Sequence, residues 1–296
     1  MKTFVDWVLS QRYWLVLIAI AFTPILPMVT AGLMVLNTLH RGTSEGAATA
    51  AAGSGVLALL AVATAGAWLD VAAVGACAML GGAALGAILN WGGTLTIGFQ
   101  GTVLASWLVA LAITLLGPDP ATLVAPVVER VRELLETGDP AAEQLDLVQG
   151  WDTMLLGLVF AAVFAQLVGA LLLGYWWFGL ARAQVRFGEE FRALKLGRVL
   201  GIPAIILVTL GLLFQGPLVQ APLVHNLAPI AVFAFLFQGA AVMHAWAHAK
   251  KWHPAAVWPV YIVLITPLTM ISILGLSAVG LIDNVFELRA PLRARE

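Results

Sequence analysis

Residues 13 to 116 carry only three charged side chains, Arg41, Glu45 and Asp70, with His40 beside the first of them. Inside a bilayer nothing but the chain itself offers hydrogen bonds, so apolar runs of about 18 or more residues satisfy their backbone there by folding as helices. The pattern predicts an all-α, polytopic transmembrane helical bundle. Composition agrees: 10% of the residues are charged, against about 25% in a typical soluble domain. The 296 residues are almost wholly absorbed by apolar segments and short turns, so a single integral membrane domain, 1–296, is expected. One cysteine, Cys77, rules out an internal disulfide framework and a cysteine metal cluster. No basic, aromatic-interleaved patch points to nucleic acid.

Eight apolar segments are expected, at about 13–39, 46–67, 70–89, 93–116, 151–180, 199–216, 227–249 and 255–282. Pro24 and Pro27 fall in the first and Pro267 in the last. Proline removes a backbone donor and kinks or breaks a helix, so these two segments are either tilted, kinked spans or broken hairpins. Charge orients the others. Arg182, Arg186, Arg192, Lys195 and Arg198 crowd one connection and Lys250 and Lys251 another; both are expected in the cytoplasm by the positive-inside rule. The 117–150 connection is acidic and falls on the opposite side. Lys2, Arg12, Arg289, Arg293 and Arg295 place both chain ends in the cytoplasm only if the first and last segments turn back. Asp6 interrupts the basic start and no small-residue cleavage site follows, so the first segment reads as uncleaved.

Two interfacial helices are expected. On the outside, Asp119 and Pro120 open a helix that Gly138-Asp139-Pro140 stops. Its apolar face includes Leu123, Val124, Val127 and Val128, opposite Glu129, Arg130, Arg132 and Glu133. It lies on the membrane surface or forms a lid. On the inside, Phe187, Phe191 and Leu194 recur at helical spacing opposite Glu189, Glu190, Arg192 and Lys195. That face is a surface coupling element or a partner-docking site.

Small residues four apart let membrane helices approach closely. Ala78, Gly82 and Gly86 form one such stripe, Ala161, Ala165 and Gly169 another, and Ala241, Ala245 and Ala249 a third. Gln100, Gln166 and Gln238 lie inside apolar segments and Asn90 near an end. A buried amide without a partner costs a few kcal/mol, so these four face the bundle or a wet cavity. They are either interhelical hydrogen bonds or the lining of a small-molecule site. His244 and His248 share a helical face, but no carboxylate or cysteine joins them, so they read as interfacial histidines rather than metal ligands. Asp70 reads as an N-cap. Asp283 could cap or pair with a neighbouring arginine. No P-loop, G-x-S-x-G or H-E-x-x-H pattern is present. No catalytic residue, metal or cofactor is assigned, and the chain is not read as an enzyme.

Three stretches together carry a resemblance: Phe187 to Leu196 (FGEEFRALKL), Val242-Met243-His244, and the tail from Gly280 to Arg289 (GLIDNVFELR). With the eight-segment plan and the acidic loop, the chain resembles the YybS-like family of bacterial membrane proteins. In the tail that family usually carries an aromatic after the Asp–x pair and then a second acid; Val285 and Glu287 stand at those places here. The family is grouped with the substrate-capturing subunits of energy-coupling-factor vitamin importers. The resemblance implies a helical bundle in a bacterial inner membrane that holds a small solute between its helices. Lacking a nucleotide site, such a protein would need a membrane coupling subunit and a separate ATPase. The alternative is a membrane scaffold or assembly factor without a solute.

Overall fold

The computed structural model describes residues 1–118, 122–125, 128–130, 133, 152–182, 185–213, 222–266 and 268–293. Its helices are α1 (Lys2–Ser10), α2 (Arg12–Phe22), α3 (Pro27–Arg41), α4 (Thr43–Ala63), α5 (Leu69–Gly92), α6 (Leu95–Leu116), α7 (Asp152–Ala181), α8 (Phe187–Arg192), α9 (Gly197–Leu213), α10 (Pro222–Ala249), α11 (Trp258–Val263), α12 (Thr269–Phe286) and α13 (Ala290–Arg293), with a 3-10 turn at Pro254–Val257. No strand occurs among the described residues. Among the described residues six helices, α4, α5, α6, α7, α10 and α12, are long and apolar enough to cross a membrane. Counted as one, α1 and α2, which meet at 114°, would add a seventh. Large apolar side chains such as Leu59, Val62, Leu116, Val199, Ile265 and Ile271 point outward, where a soluble protein would place polar groups. The chain is a multi-pass integral membrane protein.

Backbone contacts divide it into two compact units, residues 1–102 with 165–194 and residues 103–164 with 195–296; α6 and α7 contribute residues to both.

In the first unit the segment at 13–39 is a hairpin. Thr30 donates its hydroxyl to the Ala19 carbonyl at 2.8 Å, and Arg41 Nη2 donates to the Leu9 carbonyl at 2.7 Å. Along one straight helix those pairs would lie about 16 and about 48 Å apart. The chain therefore turns back at Thr23–Leu26, just before Pro27 opens α3. With 11 and 15 residues, each arm is shorter than the roughly 20 needed for a full crossing. Before it comes α1, which buries Val5, Val8 and Leu9 at i, i+3 and i+4.

α3 runs parallel to α5. A Cβ on Gly75 would meet Thr23, one on Gly82 the Ala31 backbone, and one on Gly86 the Thr38 side chain, so positions advance together along both helices. α4 returns antiparallel, with Gly53 against Met79 and Leu57 against Gly75. α7 also runs parallel to α3, since Gly169 approaches Met28 and Gly174 approaches Gly32 and Val35. Lipid supplies no hydrophobic drive between helices, so contact at this distance is held by dispersion and requires the missing Cβ. The Ala78–Gly82–Gly86 stripe is thus used inside the unit. α5 ends at Gly93, whose φ of 70° closes the helix in the left-handed conformation.

In the second unit α10 runs parallel to α12. Ser277 Oγ donates to the Val232 carbonyl at 2.8 Å, and Gln238 pairs with Asp283, a constant offset. Two glycines bring the backbones together: a Cβ on Gly239 would run into the Leu276 carbonyl, and one on Gly280 into that of Phe235. Because both helices run the same way, residues 250–268 must climb back the length of α12, about 27 Å. They do so through the 3-10 turn and α11, which at six residues cannot span. The segment at 255–282 is therefore also broken, near position 267, which itself lies outside the described residues.

Several expected boundaries move. Trp68 is the N-cap of α5 and Asp70 sits inside the first turn without a capping bond, where a carboxylate still favours the helix dipole. α8 stops at Arg192, so Leu194 follows the helix rather than extending its face. α12 continues to Phe286, which puts Asp283 in the last turn of a membrane helix. Of the expected outer helix, Val124 and Val128 are buried with Leu156; Asp119, Pro120 and the stop at Gly138–Pro140 lie outside the described residues.

Candidate functional site

A polar cluster stands where α10, α12 and the start of α9 meet. Gln238 is completely buried and uses both ends of its amide. Its Oε1 accepts the Leu196 N–H at 2.9 Å and its Nε2 donates to Asp283 Oδ2 at 2.9 Å. Asp283 also accepts from Arg289, through Nε at 3.2 Å and Nη2 at 2.7 Å. The pair is deeply buried, Asp283 at 4% and Arg289 at 6% exposure. Removing two charges from water costs several kcal/mol each, and a buried pair is sustained only when further hydrogen bonds complete it. Gln238 supplies that completion. Arg289 reaches back because the chain reverses at Glu287, whose φ of 49° is left-handed and whose N–H closes on the Asp283 carbonyl.

Beside this cluster opens a cavity of about 340 Å³, lined by Lys195, Gly197, Arg198, Gln238, Asn284 and Glu287 together with the Asp283–Arg289 pair. Asn284 Nδ2 donates to the Gly197 carbonyl at 3.3 Å, which fixes the first turn of α9 against α12. The volume is at the small end of ligand pockets, which run from about 300 to 1,000 Å³.

Each of the four amides expected to line a solute site has its own setting. Gln238 lines the cavity. Gln100 and Gln166 belong to the other compact unit, where Gln166 is exposed and Gln100 half-buried. Asn90 donates to the Thr38 carbonyl at 3.1 Å, an interhelical bond between α5 and α3.

On the expected docking face Phe187 and Phe191 are half-buried. Phe187 and Phe191 stack at 5.9 Å, Phe187 packs near the Tyr175 ring, and Leu194 is fully buried. Glu190 clamps this region: Oε1 accepts the Tyr175 hydroxyl at 2.5 Å, and Oε2 accepts the Leu95 N–H at 2.6 Å, capping α6 with a carboxylate where its dipole is positive. His244 bonds Tyr261 at 2.7 Å, and His253 Nδ1 accepts the Ala255 N–H. Among the described residues no group of three metal-binding side chains forms.

Sequence reasoning noted that Asp283 could pair with an arginine but did not join it to Gln238, 45 residues away. It also did not mark Lys195 and Arg198 as cavity residues. Nothing local announces these contacts; the signal available was only an acid and an amide in apolar surroundings. Compared with known proteins, the chain matches no family model, no curated protein and no solved structure.

Proposed function

We propose that this membrane protein captures a small solute at the cavity beside Gln238 and serves a transport process. The observation that carries the reading is that cavity: charged and amide groups of a membrane protein gathered around a ligand-sized space, where apolar packing would cost less. The resemblance to the YybS-like family, and through it to importer capture subunits in a bacterial inner membrane, supports the same reading. Import against a gradient would then take a membrane coupling subunit and a separate ATPase. The cationic connections orient the cavity toward the cytoplasm.

A scaffold without a solute is the second reading, favoured by one observation: Asn90 and the Gly82–Gly86 stripe are consumed in packing α3 against α5. Mass spectrometry of small molecules released from the protein purified in lipid nanodiscs separates the two. Capture requires a reproducible solute that Gln238→Leu loses and Asn90→Leu keeps, both variants remaining folded. A preparation that is consistently empty, with no coupling subunit co-purifying, would refute capture in favour of the scaffold.

A further inference from the structure

The first unit ends its hairpin inside the membrane. From Arg41 back to Pro27, α3 measures about 21 Å, against a hydrocarbon core about 30 Å thick, so the turn at Thr23–Leu26 stops short of the far surface. Pro24 and Ile25 at its tip are exposed, Ile25 at 73%. Among the described residues no donor reaches the carbonyls of Pro24 and Ile25. Non-helical backbone at such depth is not left against lipid; it is covered by protein or lies beside water.

Gln166 stands at the same level. It lies along α7 about 21 Å from Asp152 and about 24 Å from Arg182, near the middle of that span. Gln166, Gly169 and Leu173 recur at i, i+3 and i+7 on one face. Gly169 meets Met28 and Leu173 meets Gly32, so Gln166 continues the stripe just past the start of α3. Its amide is exposed and has no hydrogen-bond partner among the described residues.

We propose that this face is the contact between two copies of the chain, Gln166 of each donating its amide to the hairpin tip of the other. A patch that holds amide N–H donors beside open carbonyl acceptors is complementary to itself. A two-fold axis along the membrane normal keeps every group at its own depth. It therefore sets Gln166 of one copy opposite the tip of the second, and the exchange closes symmetrically. Lipid tails supply neither donor nor acceptor. The contact goes beyond the solute question and stands under either reading of it.

The test uses the full chain in phosphatidylcholine liposomes, with dimer fraction read by single-molecule photobleaching at graded protein-to-lipid ratios. Reversible, density-dependent dimerisation is expected. Gln166→Leu should weaken it about eightfold, the loss of two hydrogen bonds of the average size between membrane helices. Leucine is at home at an outward-facing membrane position, and an unchanged unfolding curve checks the fold. Gln166→Asn, which keeps the amide, should lose less. In a Cys77→Ser background, separately made Gln166→Cys and Ile25→Cys chains should form a mixed disulfide when combined and oxidised. Leu59→Cys, exposed on α4, should not link to itself. A chain that stays monomeric at every density overturns the proposal. So does a dimer that Gln166→Leu leaves unchanged, or one that links at Leu59→Cys and not between positions 166 and 25. Loss of stability in Gln166→Leu with dimerisation intact would assign the amide to its own chain, and overturns it equally.

Discussion

Asp283 sits in the last turn of an apolar helix, where Arg289 and Gln238 replace the water it lost. Taking away one partner leaves a buried ion exposed to that loss. Arg289→Ala should therefore destabilise the protein by about 3–5 kcal/mol, read by denaturant unfolding in micelles; an unchanged unfolding curve would mean that water reaches the carboxylate. Gln238→Leu strands the Leu196 N–H and one carboxylate interaction, and should cost about 1–3 kcal/mol. That exceeds the roughly 0.6 kcal/mol average for hydrogen bonds between membrane helices, because one partner here is an ion. His40, just past the apolar run that ends at Leu39, is a titrating counterpart. Burial first, then Arg182 and Arg41, lower its pKa below the ordinary 6.5, against an opposing pull from Asp6. The unfolded chain then binds the proton more readily than the folded one. Stability is complete above that ordinary value and declines as pH falls through it toward the lowered one. Unfolding midpoints measured from about pH 7.5 down to about pH 5 should fall in the native protein and fall less in His40→Asn. Parallel curves would assign the acid sensitivity to other groups.

In the parallel pairs α3–α5 and α10–α12, glycine decides the contact. α3 meets α5 through Gly82 and Gly86, and α10 meets α12 through Gly239 and Gly280. Against Gly82, Gly239 and Gly280 the obstacle to a larger side chain is backbone, which cannot swing aside. Gly82→Val or Gly239→Val should cost at least the roughly 1–3 kcal/mol of ordinary overpacking, whereas Gly55→Val, with open space around it, should be well tolerated. Unfolding in mild detergent distinguishes them; equal losses at all three sites would point to helix propensity instead of contact. Parallel neighbours joined by one chain also need a return path. α4 supplies it as a full-length helix, and residues 250–268 supply it in shorter pieces. Glu190 is the corresponding fastener for α8: Glu190→Ala leaves the Leu95 N–H and the Tyr175 hydroxyl without their acceptor, and should raise protease sensitivity around residues 182–198.

At the scale of the molecule, the turn at Thr23–Leu26 and the broken segment before α12 remove the conflict between basic chain ends and a strict alternation of spans. The expectation is that Lys195→Cys and Glu287→Cys label from the cytoplasmic side and Glu136→Cys from the other, in a Cys77→Ser background because Cys77 is exposed. Labelling of Glu287→Cys from outside would refute the parallel course of α10 and α12. The sequence by itself determined that this chain is helical and lies in a membrane: hydropathy and the need to satisfy the backbone act within each segment, whatever its neighbours. It also marked Pro24–Pro27 and Pro267 as the places where those segments kink or break, because proline acts on its own helix. It left open which arginine would join Asp283, which amide would complete that pair, and which small stripe would face which helix. In segments apolar on every face, periodicity carries no direction, so rotation about the helix axis is set only by neighbours. The tertiary structure alone decided those rotations, because they depend on where backbones can approach within the width of a missing Cβ, and it thereby brought residues 196, 238, 283 and 289 into one polar cluster.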